Sequence, residues 1–325
     1  MRFVVLGAGA VGGVVGGRLA EHGHDVQVIA RGAHREAMAS RGLRVDSPDG
    51  SVALPVRVHG VPGDVEWTGA EAVLLGVKSQ DTAGVLDALM EVAPPDTPVV
   101  CLQNGVANER EALRRFANVY GICVMCPATH LEPGVVMAHS APVTALLDIG
   151  RYPSGADDVC RAVASALAAS GMESEVRPDI MRWKHTKLLM NLGNAIGALC
   201  GPEARGGPLN DLVRSEGVAC LEAAGIPFAS VEEDRARRGD KLRMAPAAGE
   251  RWRGDSSWQS LARSTGAIET AYLNGEVVLL GRLHGVATPA NELLVRLALQ
   301  AAREHRAPGS VDPDELLAHL GAAPA

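Results

Sequence analysis

Aromatic residues are scarce in this chain of 325 residues: Phe, Trp and Tyr together make up 3%. That scarcity excludes base-stacking platforms and aromatic cages as the main recognition device. A surplus of positive charge is missing too. Lys and Arg number 31 against 38 Asp and Glu, a formal net charge of −7, which argues against a nucleic-acid partner. An anionic small molecule would then need locally placed cations. No run reaches the ~20 apolar residues that cross a bilayer. The apolar start, MRFVVLGAGAVGGVV, is broken by glycines and passes straight into a motif, so it reads neither as a signal segment nor as a span. The six cysteines hold one close pair, Cys123 and Cys126, and no second pair or Cys/His cluster completes a metal site. No metal is expected, and the cysteines read as small buried hydrophobes in a reducing, cytoplasmic setting. Neither repeats nor low-complexity segments occur.

What is present is a full complement of core-forming residues, 47% hydrophobic against 21% charged. The length suggests about two domains. Short apolar runs at 2–6, 25–29, 72–77 and 98–102 suit central strands of a parallel sheet covered on both faces. Helical patterns at 10–21, 81–92 and 108–115 lie between them and complete β-α-β units. Later strands are expected at 119–123 and 143–149, and a helix at 156–170. Beyond Asp179 the pattern is helical, near 180–200, 209–224, 260–284 and 289–303, with no convincing strand. The fold class is α/β: an N-terminal Rossmann-type parallel-sheet domain over 1–178, then an all-helical C-terminal domain over 179–325.

Gly7-Ala8-Gly9-Ala10-Val11-Gly12 is a Gly-x-Gly-x-x-Gly between the first strand and the first helix, the context in which that motif binds a dinucleotide. Gly7 permits the tight turn, Gly9 lets a pyrophosphate approach the backbone, and Gly12 lets helix and strand pack closely. The helix N-terminus offers N–H groups and a positive dipole end to phosphates. An NAD site expects an acidic residue at the end of the second strand to bind the ribose 2′-hydroxyl. Here that stretch is Val28-Ile29-Ala30-Arg31-Gly32. Arg31 suits a 2′-phosphate instead, so the expected cofactor is NADPH/NADP, with His34 and Arg35 as possible helpers. An ordinary surface arginine is the alternative.

Lys187, Asn191 and Asn194 share one face of an apolar helix. Such groups need hydrogen bonds or a wet cleft. Two readings stay open: a site, or asparagines satisfied in a helix contact with the lysine reaching solvent. Ser257, in Asp255-Ser256-Ser257-Trp258, and Glu269 form a second polar locus, although Glu269 alone reads as a solvated residue inside a long helix. Lys78 and Asn104 follow two parallel strands, at the carboxyl edge where open α/β sheets bind ligands.

The order GAGAVGG, VKS, QNG, KLLMN, then SSW…ETAYLNGEV…GVATPAN resembles the ketopantoate reductase family over 1–299. The resemblance implies an N-terminal Rossmann domain and a helical domain that bind NADPH and substrate between them, and reduction of the 2-oxo group of ketopantoate on the route to pantothenate. It implies that Gly7 to Gly12, Arg31 and Lys78 face the cofactor and that Asn104 sits near the nicotinamide and the substrate. Lys187 would be the general acid. Asn191, Ser257 and Glu269 would hold the substrate, an anionic 2-oxo acid, and Asn194 is a further candidate contact. The family pattern has a second asparagine eight residues after the lysine. This chain has Ala195 there and Asn194 one position earlier, about 100° round a helix. A β-hydroxyacid dehydrogenase acting on another small hydroxy or oxo acid, and a non-catalytic NADPH-sensing Rossmann protein, are the competing readings. No nucleic-acid or membrane partner is expected, and a homodimer through the apolar C-terminal helices stays open.

Overall fold

Strand β1 (Arg2–Leu6) buries Phe3, Val4, Val5 and Leu6, as a two-sided apolar run must in a covered sheet. The computed structural model describes residues 1–245, 247 and 254–321. After β1 come α1 (Ala10–Glu21), β2 (Val26–Ile29), α2 (Gly32–Arg41), β3 (Leu43–Ser47), β4 (Gly50–Leu54), β5 (Arg57–His59) and β6 (Glu71–Leu75). Then follow α3 (Thr82–Met90), β7 (Val99–Cys101), α4 (Asn108–Leu113), β8 (Val119–Met125), β9 (Ala128–Thr129), β10 (Val135–Ala138), β11 (Ser140–Pro142), β12 (Leu146–Arg151) and α5 (Asp158–Ala168). The later chain forms α6 (Ile180–Asn191), α7 (Asn194–Cys200), α8 (Pro208–Ala223), α9 (Val231–Arg238), β13 (Leu242–Met244), α10 (Ser256–Ala262), α11 (Asn274–His284), α12 (Pro289–Arg303) and α13 (Pro313–Gly321).

The chain divides into two units: Met1–Lys184 with Ser230–Trp252, and His185–Ala229 with Arg253–Ala325. In the first, seven strands run in the order β12-β8-β7-β6-β1-β2-β5. Every neighbouring pair is parallel except β12 with β8. From β1 the chain winds to β2 on one side and later to β6 on the other, so the two halves of the sheet reverse direction between β1 and β6. In a parallel sheet that reversal opens a crevice at the carboxyl ends of the strands. A smaller sheet, β4-β3-β10-β9, packs against α1.

The expected single boundary after residue 178 differs from this division in one large respect. Helix α9 and strand β13 return to the first unit, where β13 pairs antiparallel with β11. Charge drives the return. The buried Arg237 donates from Nε and Nη2 to the two oxygens of Asp148, at 2.8 and 2.6 Å, with Glu173 and Glu175 at 3.6 and 3.4 Å. Buried carboxylates need such a partner. The expectation of no strand beyond Asp179 therefore fails at β13.

The second unit is helical among the described residues, and α7, α8, α11 and α12 pack on one another. Its expected long helices are shorter. Residues 180–200 break at Leu192–Gly193 into α6 and α7. The stretch 260–284 breaks where Ser264 and Gly266 take left-handed backbone, φ 52° and 72°. Buried amides staple these breaks. Asn274 donates to Leu192 O at 3.0 Å and to Asn291 Oδ1 at 2.9 Å, and Asn291 donates to Val213 O and to Glu216 Oε2. The LNG and PAN motifs thus supply internal hydrogen bonds of the unit.

No helix among the described residues is long and apolar enough to cross a membrane. No group of His, Cys, Asp and Glu among them could hold a metal. All six cysteines are free, and burial pushes the Cys126 thiol up to about 12, which leaves it protonated and unreactive.

Candidate active site

Four loops of the first unit leave the carboxyl ends of adjacent parallel strands. After β1, Gly7 turns with φ +104°, a backbone region that side chains with a Cβ avoid. Its own Cβ, if present, would lie 2.7 Å from Val77 N, so the turn sits against the loop that follows β6. A Cβ on Gly12 would overlap the Gly7 carbonyl oxygen, so α1 starts as close to β1 as a helix can. Gly9 is different. It is the N-cap of α1, with φ −65°, and an added Cβ would meet nothing within 4 Å. Neither packing nor backbone strain requires glycine there. The open space lies over the first turn of α1, whose N–H groups are the natural seat of a phosphate, and α1 carries no acidic residue in that turn. The loop Gly7–Gly12 therefore fits a pyrophosphate. Gly9→Ala is expected to shift Tm by no more than about 2 °C and to weaken dinucleotide binding about tenfold or more. Thermal unfolding beside a cofactor titration checks both halves.

After β2, Arg31 is the N-cap of α2, and its side chain is 73% exposed with Asp81 Oδ2 at 4.0 Å. No carboxylate stands at the end of β2 itself. His34, named beside Arg31 as a helper, is bonded to the glycine loop. Its Nδ1 accepts from Gly134 N at 2.8 Å, so the proton is on Nε2, which donates to Ala8 O at 2.8 Å.

After β6 and β7, a buried amide and hydroxyl network fixes Lys78 and Asn104. Gln103 donates to Val77 O and to Thr82 Oγ1, both at 2.8 Å. Thr82 donates to Asn108 Oδ1, and Asn108 donates to Ser79 Oγ and to Asn104 O, each at 3.1 Å. Two loops that carry Lys78 and Asn104 are thereby locked together. Asn104 Oδ1 itself is buried with no protein partner.

Lys184 and Glu109 were not anticipated. Lys184 Nζ lies 2.8 Å from Glu109 Oε1 and donates to Gln103 O at 2.8 Å and Ile122 O at 3.0 Å; the two side chains are 2% and 0% exposed. The ammonium thus donates to two backbone carbonyls and pairs by charge with Glu109. Lys184 precedes Lys187 by about one turn on a helix that also carries Arg182 and His185, so nothing local marked it out.

In the second unit Lys187 is half-buried on α6, and Asn191, at the end of α6, is buried. Ser257 follows Asp255, which caps α10 by accepting from Ser257 N and Trp258 N at 2.9 and 3.0 Å. Asn191 Nδ2 and Ser257 Oγ are buried with no protein partner, in residues 3% and 1% exposed. Asn194 Oδ1 accepts from Arg205 Nη2 at 3.0 Å. Glu269 is buried, and it opens a short 3-10 helix, Glu269–Tyr272, where a solvated position inside a long helix was expected. The left-handed Ser264 and Gly266 end the preceding turn and carry Glu269 inward.

A parallel sheet with a glycine-rich first loop, followed by a helical unit with buried polar groups, defines an NAD(P)-dependent reductase. Residues 3–153 match the family model described as ketopantoate reductase PanE/ApbA, and residues 179–302 match its C-terminal companion. The chain belongs to the ketopantoate reductase family. It is 31% identical to the 2-dehydropantoate 2-reductase of Halobacterium salinarum, over 94% of this chain and 100% of that one. A crystal structure of a PanE/ApbA family ketopantoate reductase from Ralstonia eutropha JMP134 superposes with a TM-score of 0.79, at 28% identity, covering 94% of this chain and 99% of that one. The ternary structure of D-mandelate dehydrogenase with NADH and anilino(oxo)acetate shares the fold, with a TM-score of 0.79 at 20% identity, covering 94% and 99%.

Proposed function

We propose that this protein reduces the 2-oxo group of ketopantoate to the hydroxyl of pantoate, with NADPH as the reductant. The observation that carries the reading is the set of buried polar atoms without protein partners: Asn104 Oδ1, Asn191 Nδ2 and Ser257 Oγ. Leaving such an atom unpaired costs about 1–3 kcal/mol, and a polar ligand that completes the bond recovers it. These three residues also stand at positions where the family motifs hold substrate.

The bound dinucleotide supplies the hydride. The loop Gly7–Gly12 holds the pyrophosphate on backbone N–H groups, Lys78 faces the cofactor, and Arg31 pairs with the 2′-phosphate. Asn104 positions the 2-oxo acid near the nicotinamide. Lys187 hydrogen-bonds the carbonyl oxygen, stabilises the negative charge that grows there and gives it a proton. Asn191 and Ser257 bind the substrate's polar groups, and Glu269 accepts from its hydroxyl.

The direct test is NADPH oxidation against a panel of 2-oxo acids that includes ketopantoate. Turnover of 3-hydroxy acids in preference to 2-oxo acids would overturn the reading. Cofactor choice rests on Arg31. Arg31→Ala is expected to raise the KM for NADPH about tenfold or more and to leave that for NADH within about twofold, since a charge-assisted bond to phosphate contributes about 1.5–3 kcal/mol. An equal loss for both cofactors would remove Arg31 from the 2′-phosphate.

A further inference from the structure

The second unit holds a cation that no sequence motif singled out. Arg205 lies in the 3-10 helix Pro202–Gly206. Its Nη2 donates to Asn194 Oδ1 at 3.0 Å, and its Nη1 stands 3.5 Å from Asp255 Oδ2. The Arg205 side chain is 31% exposed, so the guanidinium is held yet reachable. Helix α7 is cut back to receive it. A Cβ on Gly197 would sit 2.9 Å from Arg205 Cδ and 3.0 Å from Asp255 Oδ2, whereas one on Gly193 would collide with Asn210 Oδ1 at 2.5 Å and merely touch Arg205 Nε at 3.7 Å. The arginine stem therefore runs along a face of α7 that only glycine leaves clear.

The guanidinium lies on the side of α7 that Asn194 and Gly197 share, while Ala195 stands about 100° round from Asn194. Ala195 stands where the second asparagine is usual, and it makes no side-chain hydrogen bond. Asn194, one position earlier, has its oxygen committed to Arg205. The guanidinium has five N–H bonds, and these contacts use two of its nitrogens. Asp255 offsets part of its charge, but Asp255 Oδ1 is shared with two backbone N–H groups of α10. Ser257, whose N–H donates to Asp255 Oδ1 at 2.9 Å, has a buried hydroxyl that lacks a protein partner.

We infer that Arg205 is a specificity-determining residue, its guanidinium taking the carboxylate of the 2-oxo acid while Asn194 and Asp255 hold it in position. The inference rests on the 2-oxo acid reading above. A planar guanidinium matches a carboxylate with two parallel N–H bonds, and one already fixed by Asn194 and Asp255 loses little freedom on binding. The carboxylate keeps its charge throughout the reaction. Arg205 therefore binds ground state and transition state alike, and its loss falls on KM rather than on kcat.

The test is steady-state kinetics with ketopantoate at saturating NADPH for wild type, Arg205→Gln and Arg205→Lys, beside an NADPH titration of each. Arg205→Gln is expected to raise KM about 20-fold or more, with kcat within about threefold and NADPH affinity within about twofold. Arg205→Lys, which keeps the charge but loses the fork, is expected to fall between it and wild type. A KM within about threefold of wild type in Arg205→Gln, a loss confined to kcat, or an Arg205→Lys as impaired as Arg205→Gln would each overturn the assignment. If Arg205→Gln does not fold, Arg205→Lys decides: a raised KM with kcat kept supports the assignment, and an unchanged KM overturns it. A wild-type enzyme that reduces no 2-oxo acid overturns the parent reading and this one with it. Wild-type turnover with a KM indifferent to Arg205 overturns this one alone.

Discussion

Lys187→Ala is expected to lower kcat for ketopantoate reduction by about two orders of magnitude or more while NADPH binds within about twofold of wild type. Hydride transfer to a ketone carbon puts negative charge on oxygen, and a positioned ammonium both stabilises that charge and supplies the proton. Two lysines stand on α6, and the role is proposed for Lys187, the one that the family motif carries. Lys184 donates to Gln103 O and Ile122 O, pairs by charge with Glu109 and is 2% exposed, so it is tied into the first unit. Lys187, one turn later, is half-buried on the stretch that ends in Asn191. Single-turnover kinetics, with the NADPH signal followed at 340 nm as in any nicotinamide assay, separate the chemical step from cofactor binding. An unchanged kcat in Lys187→Ala would remove it from catalysis.

The second large effect is on folding. Removing one partner of the Lys184–Glu109 pair, as in Glu109→Leu, is expected to cost about 3–5 kcal/mol of stability, because the remaining charge stays buried without its counterion. The double variant Lys184→Met/Glu109→Leu is expected to recover much of that loss, since a buried ion pair replaced by apolar groups of similar size is often neutral. Denaturant unfolding of the two single variants and the double variant gives the coupling. Single variants that lose less than about 1 kcal/mol would show the pair to be better solvated than its burial implies.

Much of the first unit was legible because its signals are local. The run RFVVL, the glycines after it and the helical pattern at 10–21 coincide with β1, the turn and α1. Helix α2 and strands β3 to β5 were not anticipated. The turn residues Pro48-Asp49-Gly50 stood in plain view between β3 and β4, but the strands are short and carry charge at Arg44 and Asp46. The fate of residues 230–244 was not legible at all. Nothing local in VEEDRARR says that Arg237 answers a carboxylate on β12. The same limit applies to the candidate site. Motif spacing named Lys187, Asn191 and Ser257, yet Lys184, Glu109 and Arg205 owe their surroundings to residues far along the chain, and Glu269 reads as solvated until the break at Ser264 turns it inward.

That distant pairing bears on the order in which the protein is made. Asp148 is translated 89 positions before Arg237, the arginine that grips both of its oxygens. While the ribosome extends the chain through α7 and α8, Asp148 and Glu175 have Arg177 beside them, but Arg237 and Lys241, the two cations that flank Glu173, have yet to be synthesised. The nucleotide-binding half, although encoded first, is therefore completed only after much of the helical half has emerged from the exit tunnel.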